Sequence, residues 1–250
     1  MFPYRDDNPT ILTPYATVGL IAVNVLAWVV VQGMGMEPAL SRSVCQLGLI
    51  AGEILHRAPP GTSVPIGPGV ECVITSSAAW YTPLTSMFLH GGWLHLIGNM
   101  WFLWVFGNNV EDSMGHGRFV LFYLLCGLAA ATAQVLVGPS SVIPMVGASG
   151  AISGVMGAYI VLYPRVRVHM LVILVIFITR ITVPAWMMLG YWFLLQLLGG
   201  IPMLAQEGGG VAFWAHAGGF VTGMIVIWLF RNPVLVARRM RVVSPYGTYG

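Results

Sequence analysis

The stretch Gly147-Ala148-Ser149-Gly150 opens an apolar segment that runs to Tyr163 without a charged residue. Similar segments recur along the chain, and only 8% of its 250 residues are charged whereas 57% are hydrophobic. A typical soluble domain has about 25% charged residues, so most of this protein's surface is expected to lie in lipid. The composition disfavours a disordered chain, a collagen-like rod, a coiled coil and a soluble nucleic-acid binder.

Six segments have the length and apolar character of membrane-spanning helices. A bilayer core about 30 Å thick needs roughly 17 to 25 such residues per helix. The segments are 14–31, 93–110, 119–137, 149–163, 183–204 and 211–230. The fourth is short, so we expect its N-terminus within the membrane thickness, behind a loop that is buried in protein or lines a wet cavity. We therefore predict an all-α integral membrane protein, a six-transmembrane-helix bundle forming a single membrane domain over 1–250.

The placement of arginine predicts the orientation of this bundle. All 11 basic residues are Arg, and only Arg42 and Arg57 fall on the side opposite the termini. By the positive-inside rule both termini are cytoplasmic. This assigns 1–13 as a cytoplasmic N-terminal segment, 32–92 as a long exterior first loop and 231–250 as a cytoplasmic C-terminal tail. We expect a multi-pass protein of the cell (inner) membrane, without a cleavable signal peptide.

Two features between the helices have more than one interpretation. The apolar run 168–179 is too short to span a bilayer, and we expect it to be interfacial or to extend the fifth helix. Cys45 and Cys72 both lie in the first loop, where an oxidising compartment permits a disulfide, although two free thiols remain the alternative.

Ser149 and His216 form the main candidate for chemistry. Polar groups inside a helical bundle are costly to retain and are functional hypotheses by default. Gly150 and Gly154 on the fourth helix and Gly219 and Gly223 on the sixth have small-xxx-small spacing, which lets helix backbones approach closely.

If those two helix faces pack together, the Ser149 hydroxyl and the His216 imidazole lie at similar depth within hydrogen-bonding distance. A histidine can then act as the base that a serine nucleophile needs. The alternatives are an N-cap or packing role for Ser149 and a packing role for His216.

The start of the second helix supplies candidate donors for a negatively charged oxygen. His95 and Asn99 are four residues apart and share a helix face, and the backbone N–H groups at Ser149 belong to a helix N-terminus. Together they are candidates for an oxyanion hole. His90 is expected in the preceding loop. A metal site built from His90, His95 and His216 is the alternative, but no acid or Cys lies in the same helical segments.

No acidic residue lies well inside a predicted helix, which favours a Ser–His dyad over a triad. Glu207 is the only acid near His216 in sequence and on the same side, and a solvated loop charge explains it better than an orienting role.

These residues resemble the rhomboid family of intramembrane serine proteases. The resemblance covers about 82–230 and is carried by His90-x4-His95-x3-Asn99, Gly147-x-Ser149-Gly150 and Ala215-His216-x2-Gly219-x3-Gly223. It implies that Ser149 is the nucleophile and His216 the general base and acid. It also implies that His95, Asn99 and the Ser149 backbone N–H form the oxyanion hole, with His90, Gly147, Gly150, Gly219 and Gly223 in supporting roles.

The sequence departs from the family at two points. The Trp-Arg pair that some members carry in the first loop is absent, and Ser153 stands where some members have a Tyr that stacks on the histidine. The segment 107–118, with Glu111 and Gly115, is similar to the family's structural turn on the cytoplasmic side.

The sequence also suggests which parts of such an enzyme move. The glycines between 199 and 210 favour a mobile lid there, and Pro184 and Pro202 make the fifth helix a candidate lateral gate.

We expect the substrates to be transmembrane segments of other proteins, with the lipid bilayer as solvent and no nucleic acid, metal or cofactor. The oligomeric state stays open. An inactive binder of transmembrane clients and a transporter are the rival functions, although no inverted repeat or chain of acids supports transport.

Overall fold

The computed structural model describes residues 2–67, 69–76, 79–174, 177–202 and 212–243. In these ranges the protein is mostly helical. The long helices are α1 (Tyr15–Val30), α5 (Trp93–Met114), α6 (His116–Val137), α7 (Ser149–Leu162), α8 (Ala185–Gly200) and α9 (Phe213–Phe230). The shorter ones are α2 (Ala39–Leu47), α3 (Ala51–Ile54), α4 (Thr82–Thr85) and α10 (Pro233–Val243).

Each of the six apolar segments coincides with most of one long helix, although α5 extends to Met114 and α6 starts at His116. Among the described residues α6 and α9 are long and apolar enough to cross a membrane, while α1, α7 and α8 are apolar but shorter. The fifth segment forms α8, which starts after Pro184, an N-cap residue with extended backbone. Leu204, the last residue of that predicted segment, lies outside the described residues.

Five strands in the described part of the chain correct the expectation of an all-α protein. β4 (Arg167–Leu174) and β5 (Phe177–Pro184) form an antiparallel hairpin, and β1 (Phe2–Asp6) pairs with β4 in the order β1-β4-β5. The run 168–179 is therefore not an extension of the fifth helix. Its Val, Ile and Thr residues favour strands, and a hairpin satisfies the backbone groups that a short apolar run leaves unpaired.

The long first loop is folded onto the helices. It contains α2, α3, α4 and a second hairpin of β2 (Ser63–Gly67) with β3 (Val70–Val73). A disulfide joins Cys45 of α2 to Cys72 of β3, with 5.4 Å between their Cα atoms. An antiparallel bridge between Leu49 and Met145 then ties this loop to the segment that leads into α7. The first loop thus supports the backbone just before Ser149.

Two buried acids at the end of α5 hold the N-terminal part of the chain. The carboxylate of Glu111 accepts the backbone N–H groups of Ala16 and Thr17, at 2.9 and 2.8 Å, and so satisfies the open N-terminus of α1. Asp112 accepts the N–H groups of Ile11 and Leu12 in the preceding segment. These acids have a structural role. They lie at the other end of α5 from His95 and Asn99, and they are also distant in sequence from Ser149 and His216.

The core of the molecule surrounds α7, whose residues Gly150 to Tyr159 are all buried. Its neighbours α5, α6 and α9 contribute large buried side chains to this core, among them Phe106, Tyr123 and Phe220. Because α7 is enclosed, the residue at its first turn is held rigidly by the packing of three other helices.

Candidate active site

Ser149 and His216 are in direct hydrogen-bonding contact. Ser149 is the first residue of α7 and His216 lies in the first turn of α9, and the distance from His216 Nε2 to Ser149 Oγ is 2.7 Å. A serine oxygen at this distance from an imidazole nitrogen has a base in place to take its proton. The two residues are 67 positions apart in sequence, so the contact depends on how α7 and α9 pack.

The glycine faces of α7 and α9 produce this contact. A methyl group added at Gly223 would lie 1.9 Å from the backbone oxygen of Gly154, and one at Gly219 would lie 2.1 Å from that of Gly150. No side chain fits at either position while the helices keep this separation. The close backbone approach is the packing that small-xxx-small spacing permits, and it brings the first turns of the two helices together.

Two side chains of α5 add hydrogen-bond donors beside Ser149 and His216. Asn99 is buried, and its Nδ2 has no hydrogen-bond partner among the described residues. His95 Nδ1 accepts the backbone N–H of Gly91 at 3.2 Å. A neutral imidazole that accepts at Nδ1 carries its proton at Nε2, so the Nε2–H of His95 is also a donor. Leaving buried donors unpaired costs free energy, which a negatively charged ligand oxygen would recover.

Gly147 lets His95 approach the start of α7. Its φ is +136°, in the range that side-chain-bearing residues rarely adopt, and an added methyl group there would lie 2.8 Å from His95 Nε2. The next residues begin α7, and the first N–H groups of a helix have no partner within the helix. The backbone at Ser149 therefore adds donors to those of His95 and Asn99.

A cavity of ≈ 430 Å³ opens beside this group. Its lining contains both members of the Ser149–His216 pair and both donors of α5, His95 and Asn99. The remainder of the wall is mostly apolar, with side chains from α5, α6, α7 and the segment before α7. Polar groups concentrated in one part of an apolar cavity are typical of a site that binds and orients a substrate.

His90 lies in the loop before α5, where we expected it. Its ring packs edge-on against that of His95, with centroids 5.2 Å apart, and it does not line the cavity. Its backbone N–H and C=O bond the side chain of Gln32. Burial, with a smaller contribution from neighbouring His95, lowers the pKa of His90 to about 3, so the ring is neutral. Within the described residues no group of three or more His, Cys, Asp or Glu could hold a metal ion.

Two residues that the sequence analysis did not select contact His216. Its Nδ1 lies 2.8 Å from Oε1 of Gln196, and its ring lies 5.8 Å from that of Trp192, centroid to centroid. Both belong to α8. The signal for Gln196 was present in the sequence, because it is an uncharged polar side chain inside an apolar helix. Glu207 and most of the predicted lid at 199–210 lie outside the described residues.

A serine hydroxyl bonded to an imidazole, beside unpaired N–H donors and a cavity, is the arrangement that serine-type hydrolases use. The sequence model of the Rhomboid domain matches residues 77–233 of this chain. The chain therefore belongs to the rhomboid family. This is a family of integral membrane proteins that includes intramembrane serine proteases, which agrees with the apolar composition of this chain.

Individual relatives match shorter parts of the chain. It is 42% identical over 76 residues to Rhomboid-like protein 11, chloroplastic, of Arabidopsis thaliana, covering 30% of this chain and 27% of that protein. It is 40% identical over 88 residues to Rhomboid protease GluP of Bacillus subtilis (strain 168), covering 35% and 17%. The match to Rhomboid protein 1, mitochondrial, of Saccharomyces cerevisiae is 27% identical over 166 residues and covers 63% and 44%. The chain thus spans less than a third of the length of the first two relatives.

Proposed function

We propose that this protein is an intramembrane serine endopeptidase that hydrolyses peptide bonds in or near transmembrane segments of other membrane proteins. The observation that carries the proposal is the 2.7 Å contact between His216 Nε2 and Ser149 Oγ at the wall of the cavity. Membership of the rhomboid family supports the same activity. Ser149 is then the nucleophile and His216 the general base, without an acidic third member.

The reaction follows from the placement of donors and acceptors. Ser149 Oγ attacks the carbonyl carbon of the scissile bond while His216 Nε2 takes its proton. The carbonyl π electrons move to the oxygen, whose negative charge the N–H groups of His95, Asn99 and Ser149 stabilise. Collapse of this intermediate breaks the C–N bond, and His216 gives its proton to the leaving amine. A water molecule, deprotonated by His216, then attacks the acyl ester and releases the second product with free Ser149.

The membrane arrangement that we propose has six crossings. They are α1, α5, α6, α7, α8 and α9, within one membrane domain over 1–250. Both termini are cytoplasmic, so that 1–13 and 231–250 lie inside the cell and 32–92 outside, in the cell (inner) membrane. The arginine distribution supports this orientation. Ser149, at the N-terminal end of α7, then faces a cavity that opens to the exterior or periplasmic side, which gives water a route to the acyl enzyme.

Purified protein in liposomes, with a single-span membrane protein as substrate, tests the proposal. We expect wild type to cleave the substrate, and Ser149→Ala and His216→Ala to reduce kcat by several orders of magnitude. Ser113→Ala is a matched control, because Ser113 is buried in α5 and its hydroxyl donates to the Val110 carbonyl oxygen of the same helix. Cleavage by Ser149→Ala or His216→Ala at the wild-type rate contradicts the proposal.

A further inference from the structure

The side of His216 that faces away from Ser149 is held by α8. His216 Nδ1 is 2.8 Å from Gln196 Oε1, and Gln196 is buried between α8 and α9. In a serine hydrolase with three members, an acid at this nitrogen orients the imidazole and fixes its tautomer. Here the atom in that position belongs to a neutral amide.

A second contact fixes which way this amide points. Gln196 Nε2 lies 3.2 Å from the backbone oxygen of Trp192, one turn earlier in α8. A carbonyl oxygen only accepts hydrogen bonds, so the NH₂ group of Gln196 must face it and the amide oxygen must face His216. That oxygen is also only an acceptor, so the proton of the neutral imidazole sits on Nδ1. Nε2 is then left with the lone pair that accepts the hydrogen bond of Ser149.

The ring of Trp192 supports the same imidazole. The Trp192 and His216 ring planes are inclined by 38°, with their centroids 5.8 Å apart. Ser153, at the position where some rhomboids have a stacking Tyr, instead turns its hydroxyl to the backbone oxygen of Ser149 at 2.6 Å. It gives no support to the ring. One turn of α8 therefore supplies both the hydrogen bond and the aromatic contact.

We propose that Gln196 and Trp192 are positioning residues that hold His216 in the tautomer and orientation needed for proton transfer with Ser149. The proposal rests on the proposed function. If Gln196 and Trp192 hold His216, proton transfer by His216 depends on α8 staying packed against α9. Two contacts join these helices: Phe193 stacks on Phe220 with ring centroids 4.7 Å apart, and Trp214 Nε1 donates to the Gly200 backbone oxygen at 3.1 Å. A movement of α8 that opened a lateral gate would break the contact with Gln196.

Steady-state kinetics of α8 variants provide the first test. Gln196→Met has nearly the same volume but replaces the amide oxygen with a weakly accepting sulfur, and we expect kcat to fall by about fivefold or more with KM unchanged. Gln196→Glu keeps an oxygen acceptor and should retain more activity than Gln196→Met. Leu198→Met is the matched control, because Leu198 is 54% exposed on the outer face of the same helix and should behave as wild type. A wild-type kcat for Gln196→Met overturns the proposal.

The ¹⁵N NMR spectrum of the His216 ring provides a second test that needs no turnover. The protein is labelled with ¹⁵N-histidine and carries Ser149→Ala, and the His216 signals are identified by their loss in His216→Ala. We expect a protonated Nδ1 and a bare Nε2, and a shift towards a mixture of tautomers when Gln196→Met is added. An unchanged spectrum overturns the proposal. The expected spectrum, together with a wild-type protein that cleaves no substrate, contradicts the proposed function and leaves the positioning role in place.

Discussion

Replacing Gly223 by Ala should remove activity without touching a reacting group. The added methyl carbon would lie 1.9 Å from the backbone oxygen of Gly154, and that oxygen belongs to the enclosed helix α7. Neither atom is at the flexible end of a side chain. Contact at an ordinary van der Waals distance therefore requires α7 and α9 to separate by about 1 Å or more.

This separation acts directly on the Ser149–His216 contact, since each residue lies on one of the two helices. The 2.7 Å hydrogen bond would lengthen to about 3.5 Å or more, beyond the range of an effective proton transfer. A displacement of about 1 Å in an active site costs on the order of 10²-fold in rate. We expect kcat of Gly223→Ala to fall by about that factor, with a further loss of stability from the disturbed packing.

The assay compares Gly223→Ala with Gly190→Ala in liposomes containing a single-span substrate. The described residues leave the space around Gly190 of α8 open, so a methyl group fits there and the change should also favour the helix. Thermal unfolding in detergent shows whether each variant is folded. A folded Gly223→Ala protein with the wild-type kcat would refute the reasoning, because it would show that the close approach of the helices does not set the geometry of the pair.

Three further predictions concern single side chains. Asn99→Ala should lower kcat by about 10²- to 10³-fold with intact folding, and an unchanged rate removes Asn99 from the oxyanion hole. Glu111→Ala should lower the free energy of unfolding by about 3 kcal/mol, measured by denaturation in detergent, because the Thr17 hydroxyl and the N–H groups at the start of α1 lose their acceptor. Burial raises the pKa of Asp6 to about 6, so this carboxyl contributes stability at low pH that is lost as the pH rises through about 6. Asp6→Asn should therefore reduce the difference in unfolding free energy between about pH 4 and about pH 7 by about 1 to 2 kcal/mol.

Each of the last two predictions has an outcome that contradicts it. Unfolding of Glu111→Ala at the wild-type denaturant concentration would mean that the buried carboxylate does not stabilise the start of α1. For Asp6, a pH dependence identical to wild type would mean that the carboxyl is not shifted by burial beside Tyr159, whose hydroxyl donates to it.

The contact between Ser149 and His216 could be predicted from the sequence because each of the two helix faces that bring these residues together has its own glycine spacing. The spacing of Gly219 and Gly223 marks a helix face that permits close packing. Ser149 and His216 lie at short sequence distances from the two glycine faces. The donors His95 and Asn99 were found in the same way, from their separation of four residues on one helix.

The support of His216 could not be predicted because it depends on how α8 is rotated. No spacing links Gln196 to His216, and a glutamine in an apolar helix has several possible partners until the helices are packed. The hairpin of β4 and β5 was missed for a different reason. An apolar run too short to span a membrane fits a helix extension and a strand equally well until β1, from the opposite end of the sequence, is seen to pair with it.

Reaction with a fluorophosphonate probe tests most directly whether Ser149 is a nucleophile activated by His216. The intact protein in detergent is treated with the probe, and the modified residue is identified by mass spectrometry of its peptides. We predict one adduct, on Ser149 Oγ, which forms much more slowly in His216→Ala and is absent from Ser149→Ala. An adduct on a different serine, or labelling of Ser149 at an equal rate without His216, would contradict the assignment of the dyad.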